Sequence, residues 1–414
     1  MTIRMRIQVL LFACVLAVTT LLQESARAAS SKSEFADAVR SQALRLERLA
    51  DGSFGGTGWQ ALLSDAAGAQ FVMVGEQHGS ASIVDLEIAL HQQLAREGFT
   101  HSAMEIGPHS TRFAERLIRR GGGAIETFIN SEGNGFSFPF LFFAEDLRLA
   151  EQIVALSPDR KEAMWGLDQE FVGSAPVHAA LLSERAGSPR QRRAVEDFRR
   201  RGTENRFLVG MLSDADLAAL KSAFSNDRDA LRQLRDLRES ASIYEPFLKG
   251  RPVYDANLAR ETLMKENFQR SFQRTQRRNG TPPRVFLKFG GSHSMRGHSA
   301  TDVPSLANFL MEWGRGRDFR LVNLMIDCDG GEVLDPQTLK TTPCQSYFGK
   351  DTGLADALAS GPPIQMVDLR PLRSNLAGWK DLDAKTRQVV LAFDYYILLR
   401  GVRPATPTQK RRAN

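Results

Sequence analysis

The stretch FVMVGEQHGSASIVDLEIALHQQLAREGF (71–99) decides how the rest of the chain is read. Residues 71–76 form a continuous apolar run rather than an alternating one, the mark of a strand buried on both faces. The run breaks at Gly75-Glu76-Gln77-His78-Gly79, and a helical pattern follows. From Ser82 to Glu97, the residues Ile83, Leu86, Leu90 and Leu94 fall on one face. Ser82 with Asp85 makes a capping-box-like start, and Gly98 stops the helix. A second apolar run, HSAMEIG (101–107), follows at once. Strand, helix and strand within about thirty-five residues spell the βαβ unit of a parallel sheet.

Further runs of the same kind are AMWGLD (163–168), RVFLKFGG (284–291), RLVNLMID (320–327), PIQMVDL (363–369) and DYYILLRG (394–401), most of them separated by helical patterns. Residues 175–280 contain no strand-like run and are rich in Arg, Glu, Asp, Leu and Ala. The expected fold is therefore α/β: a mostly parallel central sheet flanked by helices, with a helical insertion at about 175–280 between sheet strands.

The ends of the 414-residue chain read differently. MTIRMR, the apolar IQVLLFACVLAVTTLL and the small-residue ARA ending at Ala28 together read as a secretory signal peptide over 1–28. LFAC (11–14) has the look of a lipoprotein box but sits mid-segment. A single domain is expected over 29–407 and a disordered basic tail over 408–414. No later stretch is long and apolar enough to span a bilayer. The expected location is the periplasm or the exterior. Without the leader only Cys328 and Cys344 remain, and in an oxidising compartment they suggest one disulfide. The formal charge of +6 becomes +4 once three Arg and one Glu leave with the leader. The signs are interleaved, as in RDALRQLRDLRES, so the basic balance gives no argument for a nucleic-acid partner. A small-molecule substrate or ligand is the expected partner.

Four strand ends carry the chemistry. They end in Glu76-Gln77-His78, in Glu105 with His109 beyond it, in Asp168-Gln169-Glu170, and in Lys288 with Gly290-Gly291-Ser292-His293 beyond it. Open parallel sheets bind ligands outside the carboxyl ends of their strands, so four loops would deliver acids and imidazoles to one crevice. Carboxylates beside imidazoles fix a tautomer suited to general-base work on water. The same Glu76, His78, Glu105 and His293 could instead ligate a divalent ion such as Mn or Zn. The residues leave both chemistries open, and no cofactor is certain. His91 and His101 read as structural, while His109 and His298 lie near enough to matter. GNGFSFPFLFFAEDLRL (133–149), with Phe138 and Phe140, reads either as core or as an apolar wall for a bulky substrate. No Gly-x-Ser-x-Gly elbow and no P-loop accompany these strands.

With these motifs in place, VGEQHG, LEIALHQQLAREGFTHSAMEIG and the late GGSH resemble the superfamily of erythromycin esterases, ChaN-like haem-binding proteins and TIKI (TraB) metalloproteases. WGLDQE (165–170), ARETLMKEN (259–267) and AFDYYILLRGVRPATP (392–407) are similar to segments of the erythromycin esterase branch, with Glu261 standing where that branch has Asp. The first turn is one residue shorter than in those esterases, and Gly-Gly-Ser-His replaces their Gly-His-x-x-His. The resemblance implies an exported hydrolase cleaving an ester, lactone or related bond. In it His78 would activate water, Glu76 and Glu105 would orient it, and His293 would act as second acid/base or oxyanion partner. Arg260 would meet a developing negative charge, and Asp168, Glu170, Lys288, Phe138 and Phe140 would contact the substrate. The other branches imply a ChaN-like protein holding haem, iron or a hydrophobic ligand, or a TIKI-type metal-dependent peptidase.

Overall fold

The strand that opens the reading is β2 in a nine-stranded sheet of a computed structural model, which describes residues 32–336, 338–349 and 352–408. The signal-peptide and lipoprotein readings, and the tail from 409 on, lie outside the described residues. In chain order the strands are β1 (Ala43–Arg45), β2 (Phe71–Glu76), β3 (Phe99–Met104), β4 (Met164–Gly166), β5 (Arg284–Gly290), β6 (Leu321–Leu334), β7 (Thr341–Pro343), β8 (Ile364–Asp368) and β9 (Tyr395–Val402). Their spatial order is β1-β8-β9-β6-β2-β5-β3-β4, with β7 paired to the far end of β6. The central pairs from β9 to β4 are parallel; β1, β7 and β8 add antiparallel edges. The expected α/β class with a mostly parallel sheet is what the chain adopts.

Every residue of β2 is buried, which is why its sequence does not alternate. Val72 and Val74 meet the helix α1 (Ala81–Arg96), while Phe71 and Met73 face the opposite side. Ile83, Leu86, Leu90 and Leu94 of α1 are all buried, each contributing about 1.5–3 kcal/mol of apolar transfer. The helix is capped by Ser80, whose Oγ accepts the Ile83 N–H at 3.3 Å. Ser82, expected to cap it, instead accepts the backbone N–H of Arg403 at 3.0 Å.

One topological expectation fails. In a regular βαβ unit Glu76 and Glu105 would end adjacent strands, but β5 lies between β2 and β3. The helix connecting β2 to β3 leaves a gap one strand wide, and a segment almost two hundred residues later fills it.

The expected helical insertion is present. Between β4 and β5 run α4 (Ala175–Ser183), α5 (Pro189–Glu204), α6 (Asp214–Ala223), α7 (Arg228–Leu248) and α8 (Tyr254–Asn279), after α2 (Pro108–Arg120) and α3 (Ala144–Ala155) earlier in the chain. The first four insertion helices share their own apolar cluster, including Leu182, Phe198, Phe224 and Leu234. Their solvent faces are laced by short-range pairs such as Arg199–Glu196 and Arg200–Glu204. By contrast, α8 returns to the sheet: Met264, Phe268 and Phe272 pack against Phe71 and Met73. Its amino-terminal half thereby overhangs the carboxyl ends of the strands.

Beyond the sheet β6 continues to Leu334 and turns back through β7, and Cys328 and Cys344 join the two as the expected disulfide, their Cα atoms 6.3 Å apart. No helix among the described residues is long and apolar enough to cross a membrane.

Candidate active site

A cavity of about 470 Å³ opens at the carboxyl ends of β2, β3 and β5. Glu76, His78, Glu105, Arg260 and His293 all line it, so five residues from four separate segments meet there. The opposite wall is the disulfide-bridged extension, through Leu334, Thr342 and Tyr347.

His78 sits just past the end of β2 with its side chain 26% exposed. Its Nδ1 lies 2.8 Å from Glu76 Oε1, and its Nε2 lies 3.7 Å from Glu105 Oε2. The first is a hydrogen bond; the second is too long for one and suits a bridging water. Two glycines make this geometry feasible. Gly79 turns the chain at φ 83°, and a Cβ on Gly290 would stand 2.7 Å from His78 Nε2.

Glu105 is the hub between the two imidazoles. Its Oε2 accepts the Gly290 N–H at 2.7 Å, and its Oε1 accepts from Arg260 at 2.8 Å. That same Oε1 lies 3.4 Å from His293 Nε2. On the far side, His293 Nδ1 contacts Glu261 Oε1 at 2.7 Å. Burial would depress the His293 pKa, but the Glu105 and Glu261 carboxylates outweigh it and push it up to about 10. His293 is therefore an imidazolium at neutral pH. For Glu105, burial opposes ionisation, while His293 and Arg260 hold it well below the usual carboxylate range. Glu76 behaves alike: burial is overcome by Lys288 and His78, and its pKa falls to about 2.

Arg260 reaches in from α8. It grips Asp168 through Nε at 2.9 Å and Nη2 at 2.6 Å, and Nη2 also binds Glu105. Its Nη1 is not taken by either carboxylate. Successive residues on a helix point about 100° apart, so α8 offers Arg260 to Glu105 and Glu261 to His293. Glu261 was noted in the sequence only as a departure from a motif; its neighbour on the same helix was the signal.

Four residues expected at the substrate are placed elsewhere. Phe138 is in the core against Phe113 and Phe128, with ring centroids 6.3 and 5.8 Å away. Glu170 lies under the insertion, accepting from the His109 N–H and the Ser110 hydroxyl and contacting His178 at 3.1 Å. Asp168 is covered by Arg260, so it orients that guanidinium rather than facing the cavity. Lys288 is buried below Glu76, its side chain only 4% exposed. Phe140 alone of the Phe-rich stretch touches the site, its ring 4.4 Å from that of His78. It does so at φ 64°, a left-handed conformation that costs a bulky residue on the order of 1–2 kcal/mol.

The remaining histidines are as expected or remote. His91 and His101 are buried, and burial pushes each pKa down to about 4. His109 pairs with Asp236 at 2.7 Å beneath the insertion, and His298 is exposed.

A divalent ion at Glu76, His78, Glu105 and His293 does not fit these contacts. Glu76 Oε1 and both oxygens of Glu105 already serve an ammonium, a guanidinium, an imidazole or a backbone N–H. Both ring nitrogens of His293 already lie against carboxylates, 2.7 Å from Glu261 and 3.4 Å from Glu105. Among the described residues no group of three or more His, Cys, Asp or Glu is arranged to hold a metal.

No protein-family model matches this chain, and no curated protein does. Solved structures do. A succinoglycan biosynthesis protein superposes with a TM-score of 0.63 at 16% identity, covering 91% of this chain and 98% of its own. A protein from Bacillus cereus gives 0.59 at 14%, covering 91% and 99%. A histidine mutant of the erythromycin esterase EreC, in its open conformation, gives 0.53 at 15%, covering 86% of this chain and 95% of its own. The fold is that of an erythromycin esterase, as the motifs implied, and identities this low speak for the fold alone.

Proposed function

We propose that this chain is an exported hydrolase that cleaves an ester, lactone or related bond by activating water. The observation that carries the reading is the pairing at His78: Nδ1 is bound by a carboxylate held ionised at about 2, and Nε2 looks toward the cavity. An ionised carboxylate only accepts, so Nδ1 carries a proton, and in the neutral imidazole the lone pair is then on Nε2. A water bridging His78 Nε2 and Glu105 Oε2 would lose a proton to the imidazole as its oxygen bonds the acyl carbon. The negative charge developing on the carbonyl oxygen would meet the His293 imidazolium and Arg260 Nη1, both fixed beforehand by carboxylates. Collapse of the tetrahedral intermediate would break the bond to the leaving oxygen, which takes the proton from His78. An acid and an alcohol result.

The acids, imidazoles and guanidinium that line the cavity weigh against haem or a lipid-like ligand, and of the five clustered Phe only Phe140 has its ring against His78. Export is supported by the leader-like amino terminus and by the Cys328–Cys344 bridge. The test is hydrolysis of a p-nitrophenyl ester series by purified protein and by His78→Asn. Loss of a general base should lower kcat roughly 10²- to 10⁴-fold with circular dichroism unchanged. Wild-type protein inert toward every ester and lactone, or a variant as fast as wild type, would overturn the reading.

A further inference from the structure

Below the cavity lies a buried charge cluster that the hydrolytic chemistry does not use directly. On the β5 side, Lys288 pairs in register with Val74 of β2 and Met104 of β3, so it occupies a position where its neighbours are apolar. Its ammonium instead faces three carboxylates. Nζ contacts Glu76 Oε1, stands 2.8 Å from Asp146 Oδ1 of α3, and lies 3.7 Å from Glu87 Oε2 of α1. The Phe140 ring covers it at 5.6 Å. Side chains of all four titratable residues are 4% exposed or less. Burying ions costs several kcal/mol each even when they are paired, and an apolar replacement is often at least as stable. A cluster of this kind is poorly explained by stability alone.

The geometry offers a role. Lys288 Nζ and His78 Nδ1 meet the same oxygen, Glu76 Oε1. An ammonium only donates and carries a positive charge, so its contact favours the ionised form of Glu76. Were Glu76 protonated, it could donate to Nδ1. The imidazole proton would then sit on Nε2, and the cavity would face a donor instead of a base. Resting on the hydrolase reading, we infer that Lys288 is a positioning residue, seated by Asp146 and Glu87, that fixes the His78 tautomer through Glu76 and so turns the lone pair of Nε2 toward the cavity. Asp146 and Glu87 absorb the like-charge repulsion that three adjacent acids create. Burial and the Glu76 charge raise Glu87 well above the carboxylate range, and burial lifts Asp146 to about 6. Glu76 is left as the ionised member.

The test is long-range ¹H–¹⁵N NMR of imidazole nitrogens in histidine-labelled protein, with His78→Asn assigning the signal. Lys288→Met is paired with Asp146→Asn, so a cation and an acid leave together and the variant keeps its charge balance. Wild type should show a single His78 form protonated at Nδ1. The double variant should gain the Nε2–H form, and Lys288→Arg should restore the wild-type pattern. On p-nitrophenyl acetate the double variant should lose tenfold or more in kcat with KM little changed. An unmoved tautomer in the folded double variant overturns the inference. So does Nε2–H in wild type, a result that needs no variant to fold. The spectra require no turnover. A tautomer shift in a protein that hydrolyses nothing supports the positioning role and sinks the hydrolase reading, whereas active variants with unmoved spectra do the reverse.

Discussion

Replacing His293 by Gln should change how stability depends on pH, and the size of the change follows from the site. The imidazole titrates at about 10 in the folded chain because Glu105 and Glu261 flank it. In the unfolded chain it titrates near 6.5. A group whose pKa is raised on folding contributes fully below the unfolded value and loses its contribution as pH climbs through the folded one. Each tenfold change in proton concentration across that interval is worth about 1.4 kcal/mol, so His293 contributes about 5 kcal/mol at pH 6 and almost nothing above pH 10. Urea unfolding of wild type and His293→Gln, disulfide intact, at pH 6, 7, 8, 9 and 10 measures this directly. Other groups titrating in that range cancel in the difference between the two proteins. The stability gap should close steadily from pH 6.5 to 10. A gap that stays constant over that interval would refute the claim that His293 is held as a cation.

Three further outcomes follow from contacts described above. Gly290→Ala should push the His78 imidazole aside, because the new Cβ falls 2.7 Å from Nε2; ester hydrolysis should drop at least tenfold while the urea midpoint barely moves. Arg260→Met leaves Asp168 and Glu105 without their shared partner and should destabilise by about 3–5 kcal/mol, read by the same urea titration at neutral pH. Cys328→Ser with Cys344→Ser should cost about 3 kcal/mol, since the bridge closes a separation of 16 residues, and should raise KM because Leu334 and Thr342 on that bridged segment wall the cavity.

Much of this site was legible in residues 71–99, and the reasons are physical. A parallel strand buried on both faces reads as unbroken apolar sequence, so where it stops is visible, and Glu76 and His78 stand at that stop. The same logic located Glu105 and His293. What it could not supply was strand order, since apolar runs carry no label of their neighbour, and β5 was therefore not seen between β2 and β3. Nor could it supply side-chain direction. Lys288 looked like a strand-end residue facing the crevice, yet it lies two positions before the end and points under it. Its partners were hidden for different reasons. Glu87 sits on the buried stripe of α1 beside Leu86 and Leu90, where a lone acid reads as an irregularity. Asp146 stands in the first turn of α3, where an acid is explained by the helix dipole alone. Among clustered Phe residues, nothing in spacing says that Phe138 fills the core and Phe140 covers His78.

The placement of β5 has a consequence for how the molecule comes into being. As the chain leaves the ribosome, β2 and β3 emerge early, but the strand that must separate them is about two hundred residues behind. An amino-terminal half made alone faces an unfilled slot, with the edges of β2 and β3 exposed on either side of it. Closing that slot is a long-range event of the kind that slows folding and invites wrong strand pairings. Truncation before residue 284 should thus give an insoluble product rather than a smaller working unit.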